Sequence, residues 1–136
     1  MVDTSALERQ IDEMVYKLYG SYIRGDSDSG GQGMKSEIYF SVKTPIGIEV
    51  RTTVQYWEYL TTIKHPVMKN KEDIVRSVLQ MPDEIRQSKM DKKVFLYYKQ
   101  SDRLYCVVVK HTGTEGFLIT AYPVDKVKEG EIVWTR

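Results

Sequence analysis

Near the start of the chain, Leu7, Ile11, Met14, Val15 and Leu18 recur at helical spacing, which predicts an amphipathic helix over residues 4–19 capped by Thr4 or Ser5. The pattern then lapses. "GSYIRGDSDSGGQG" is rich in Gly, Ser and Asp and lacks the spacing of a phosphate-binding loop, so residues 20–35 read as a flexible linker. From Glu37 the periods change: "EIYFSVKTPIGIEVRTTV" holds two strand-like runs about the turn "TPIG". "QYWEYLTTIKH" and "NKEDIVRSVLQM" read as helices, the second with Asn70 as N-cap, Asp73 in its first turn and Pro82 as its stop. Beyond Pro82, "EIRQSK", "KVFLYYKQ", "RLYCVVVKH" and "GFLITAY" are β-branched and aromatic, joined by short polar turns, with "EGEIVW" as an added edge strand. The expected fold is therefore α+β, helices followed by a four-stranded antiparallel meander. It divides into a helix (1–19), a linker (20–35) and one domain (36–136).

Composition narrows the setting. The 136 residues suffice for one core without staples, and 20 Lys and Arg against 19 Asp and Glu leave no global field for nucleic acid or membrane. A lone Cys106, no signal-like start and no long apolar run make a cytoplasmic location the expectation. Two histidines and one cysteine in no ligand spacing predict neither metal nor cofactor.

Turn lengths then suggest a register. A two-residue turn at Ser101-Asp102, a four-residue loop at "TGTE" and a three-residue turn at "MDK" place Arg86, Ser88, Tyr98, Tyr105, Thr120 and Tyr122 on one sheet face beside Val107 and Val109. An arginine, hydroxyls and aromatics together can hold a phosphate and stack a base. The same residues also suit the wet face of an ordinary antiparallel sheet.

The order "YWEYLTTIKHP", "PDEIRQS", "VFLYYK", "YCVVVK", "GFLITAYPVDKVKEGEIVW", from about Val50 to Trp134, resembles the phage-associated branch of the barnase, EndoU, colicin E5/D and RelE-like nucleases. That resemblance implies a metal-independent RNase on helices followed by a four-stranded sheet, often used as a toxin. Carried onto this chain, it implies His65, Arg86, Thr120 and Tyr122 as catalytic residues. Ser88 and Lys89 would contact phosphate, with Tyr98 and Tyr105 on the substrate-binding face. RNA supplies its own 2′-OH nucleophile, so a base, charge-stabilising groups and an acid suffice, leaving a 2′,3′-cyclic phosphate and a 5′-OH.

His65 keeps two readings, a proton-transfer residue or a plain helix stop before Pro66. His111, at a strand end beside "TGTE", reads as an exposed turn residue. A second function class stays open, a non-catalytic module that binds RNA or protein. Residues 4–19 would then dock on the domain, a second copy or an inhibitor.

Overall fold

The computed structural model describes residues 37–127 and 130–136; the helix expected at 4–19 and its linker lie outside them. Alternating apolar positions in "IYFSVK" and "EVRTT" give β1 (Ile38–Lys43) and β2 (Glu49–Thr53), an antiparallel hairpin whose turn uses Gly47 at positive φ. Thr53 ends β2 and caps α1 (Val54–Tyr59), its hydroxyl accepting from the Tyr56 amide at 3.0 Å. The helix then widens into a π-helical turn over Leu60–Lys64, where the His65 amide donates to the Leu60 carbonyl at 2.8 Å. His65 sits at φ −142° and ψ 79°, outside the helical region as a residue before proline must, and a 3-10 turn, Pro66–Met68, follows. Helix α2 (Glu72–Gln80) buries Val75, Val78 and Leu79. It starts after Lys71, while Asn70 adopts a left-handed φ of 67° and is not the cap that its residue type suggested.

Strands β3 (Glu84–Gln87), β4 (Val94–Gln100), β5 (Leu104–Thr112) and β6 (Glu115–Val124) pair antiparallel in sequence order, and β7 (Glu131–Thr135) adds outside β3. The expectation of helices followed by a four-stranded antiparallel sheet is overturned. The sheet has seven strands in the order β1-β2-β6-β5-β4-β3-β7, it is mixed, and the described helices are two short ones. The cause is the first hairpin. Instead of standing apart, β2 runs parallel to β6 through Val50 opposite Gly116 and Arg51 opposite Phe117. Gly116 permits that approach, because a Cβ there would meet Ile48 Cγ2 at 3.0 Å and Val50 Cγ2 at 3.3 Å.

Register differs from the turn-length reading for two physical reasons. Three residues, not two, join β4 to β5, so Tyr98 faces Cys106 and Tyr105 faces Lys99. The β5–β6 turn is tight, and a bulge at Ile119 then shifts the ladder, so Thr120 faces Val108 and Tyr122 faces Cys106. One face therefore carries Phe40, Val42, Val50, Tyr97, Tyr105, Val107, Val109 and Leu118. The Arg76 guanidinium lies 5.0 Å over the Phe40 ring, which sets α2 on this face, against β1, β4 and β5. The other face carries Arg86, Leu96, Val108 and Thr120 in one row, with Tyr98, Cys106 and Tyr122 in the next. Leu96, Tyr98, Cys106, Val108 and Thr120 are all buried, so the face expected to be wet is also core.

Candidate functional site

Where β2 gives way to α1, the remaining edge of β6 is flanked by helix. The buried Tyr56 hydroxyl donates to the Ile119 carbonyl at 2.6 Å, anchoring α1 to that edge. One turn on, the π-helical and 3-10 segments also rest against β6. This brings His65 to β6: its ring centroid lies 5.1 Å from that of Tyr122, at an interplanar angle of 31°. Thr120, two residues back on the same strand, shares the sheet face of Tyr122. Three of the four residues singled out for chemistry thus gather along one seam.

The electrostatics of this seam are set by partial burial. Desolvation, then the neighbouring Lys64 charge, hold the His65 pKa below the ordinary 6.5, so its imidazole is neutral at physiological pH. Burial likewise lowers the Lys64 amine below its ordinary 10.5. Among the described residues, two buried side-chain polar atoms lack a hydrogen-bond partner, Thr120 Oγ1 and Arg51 Nε. A buried polar atom in that state costs about 1–3 kcal/mol. Arg51 is on the same face one strand across, in the row of Phe117, which a three-residue step and the Ile119 bulge separate from Thr120. Its Nη2 is 3.6 Å from the half-exposed Glu115 carboxylate. Nothing in the local sequence singled Arg51 out, since only the parallel β2–β6 pairing carries it there.

The remaining candidates lie elsewhere. Arg86 is three strands from Thr120 in the same row, about 14 Å at ordinary strand spacing. Its Nε binds Glu84 and its Nη1 donates to the Gly130 carbonyl at 3.1 Å. Ser88 closes its own turn, accepting from the Met90 amide at 3.1 Å, and Lys89 is exposed beside it. Tyr98 is buried on the Thr120 face, whereas Tyr105 is on the opposite face with its hydroxyl 3.3 Å from Asp102.

His111 is buried, not an exposed turn residue. Its ring stacks on Phe95 at 3.9 Å and its Nε2 is 3.1 Å from the Tyr97 hydroxyl, on the face opposite Thr120. Burial depresses its pKa to about 4 and raises that of Tyr97 to about 12. Among the described residues no three His, Cys, Asp or Glu side chains gather as metal ligands, and no helix is long and apolar enough to cross a membrane. Neither the family models, the curated proteins nor the solved structures contain a match to this chain.

Proposed function

We propose that the chain is a metal-independent endoribonuclease whose acid–base residue is His65. The observation that carries this reading is the contact of a neutral, half-buried imidazole with Tyr122 on the β6 edge, next to the unpartnered hydroxyl of Thr120. His65 takes the proton of the ribose 2′-OH as that oxygen attacks phosphorus. The phosphorus–O5′ bond breaks and the Tyr122 hydroxyl protonates the leaving oxygen; the proton held by the His65 imidazolium then passes through solvent to the tyrosinate, which resets both residues. Products are a 2′,3′-cyclic phosphate and a 5′-OH. The motif order from Val50 to Trp134 supports the same activity. The seven-stranded mixed sheet departs from the layout that resemblance implies, so the reading rests on the site.

One observation favours a non-catalytic binding module. Ile63 and Val67, on either side of His65, are 66% and 47% exposed, an apolar rim suited to a protein or base contact. A single assay separates the two. Full-length protein in EDTA is given mixed RNA and a 2′-deoxy-substituted strand, and the product ends are identified. Cleavage of RNA alone, with cyclic phosphate ends, is expected, and His65→Ala should lose about 10²- to 10⁴-fold in turnover with affinity nearly unchanged. Binding of both strands with cutting of neither favours the module.

A further inference from the structure

A sheet face becomes dry only when another layer lies on it, and the two faces here differ in what the described residues supply. On the face of Val107 and Val109, α2 lies against β1, β4 and β5. The opposite face carries Leu96, Tyr98, Cys106, Val108 and Thr120, extended toward the β5–β6 turn by Val94 and Phe117. Each of these seven residues is 6% exposed or less, so this face is as dry as the other. The π-helical and 3-10 segments rest against β6, and no described helix lies across β4 and β5 on this side. We propose that residues 4–19 of this same chain are the missing layer, docked across β6, β5 and β4 by the stripe Leu7, Ile11, Met14, Val15 and Leu18. The inference stands apart from the ribonuclease reading and needs none of its residues.

Burial, sequence and reach select this occupant. The face is buried within a single chain, so neither a second copy nor a foreign partner is needed to account for it. Outside the described residues lie 128–129, too few to cover several strands, and 1–36. Within 1–36 the apolar stripe at helical spacing falls in 4–19, with Arg9, Asp12, Glu13 and Lys17 on the other side of the turn, whereas 20–35 has little to bury. A helix over 4–19 would be about 24 Å long, against roughly 14 Å from β6 to β3 at ordinary strand spacing. The connection also reaches. Residues 20–36 span at most about 60 Å, and β1, to which they lead, lies about 24 Å from β3. Docking removes apolar surface from water on both sides, the leucine and isoleucine of the stripe against Leu96, Val108 and Phe117.

The chain's one cysteine, Cys106, is 1% exposed on this face and reports on the layer directly. Its reaction with a soluble aromatic disulfide is timed in the native full chain. Labelling should be slow in the parent. Ile11→Asp, which puts a charge in the stripe, should speed it about tenfold or more. Arg9→Asp, on the far side of the same turns, should leave it within about twofold. Methyl NMR separates undocking from unfolding: Ile11→Asp should move the Leu96 and Val108 signals far more than those of Val107 and Val109, which face α2. If Ile11→Asp unfolds the whole chain, Ile11→Ala is measured in its place, with a severalfold rise in labelling expected and the same NMR contrast. Equal Cys106 rates in folded parent, stripe variant and Arg9→Asp refute the docking. Labelling that slows as protein concentration rises, with a dimeric parent, assigns the face to a second copy and refutes it too.

Discussion

The two histidines show how burial turns one side chain into different devices. His65 is half-buried, next to a lysine and against a tyrosine ring, and it keeps access to solvent. His111 is walled in by Phe95 and Tyr97, with a folded-state pKa of about 4 against the ordinary 6.5. That depression fixes a sign. The folded chain holds His111 neutral, so its contribution is intact above pH 6.5, where the unfolded residue is also neutral. It is lost as pH falls through the window down to about 4, because there the unfolded chain takes up the proton first. The loss is on the order of 3 kcal/mol. His111→Gln, which keeps an acceptor near the Tyr97 hydroxyl, should flatten this part of the stability curve in urea titrations at pH 7, 5.5 and 4. A slope equal to the parent's would mean that other groups set the acid limit.

At the scale of elements, Arg86 is a fastener. Its guanidinium ties β3 to the turn before β7, where Gly130 holds a φ of 91° and a Cβ would collide with the Gln87 carbonyl at 2.8 Å. Arg86→Ala should therefore lower unfolding free energy by about 1–3 kcal/mol, as loss of a charge-assisted bond does, and leave turnover within a few fold of the parent. A hundredfold loss of turnover with unchanged stability would return Arg86 to the chemistry. The strands from Glu84 onward were legible in the sequence because alternation and short turns are local signals. Their register was not, since it hinged on one residue in the β4–β5 turn and on a bulge at Ile119 that no residue type announces. Hence Tyr105 was assigned to the wrong face, while Thr120 and Tyr122 stayed together, being two apart on one strand. His65 was legible as a candidate from its residue type and its place before Pro66. Its meeting with Tyr122 depends on a π-helical turn that composition does not encode.

For the whole molecule, the consequential feature is the parallel join between residues 49–51 and 115–117, which makes a mixed sheet out of a hairpin and a meander. Nothing local predicts a parallel pair between segments so distant in the chain, and this is why the fold class was misread. The join also has a history in time. Strands β3 to β6 are linked by short turns and close small loops, whereas docking β2 on β6 closes a loop that includes both helices. The meander should form first and the join last. Arg51 and His65 belong to one side of that late seam, Thr120 and Tyr122 to the other. As the protein unfolds, the seam should open before the meander, so the proposed cleavage should be lost at a lower temperature than the sheet. In a urea series, RNA cleavage should vanish while far-ultraviolet circular dichroism still reports an intact sheet. Coincident curves would show that the seam and the sheet live and die as one cooperative unit.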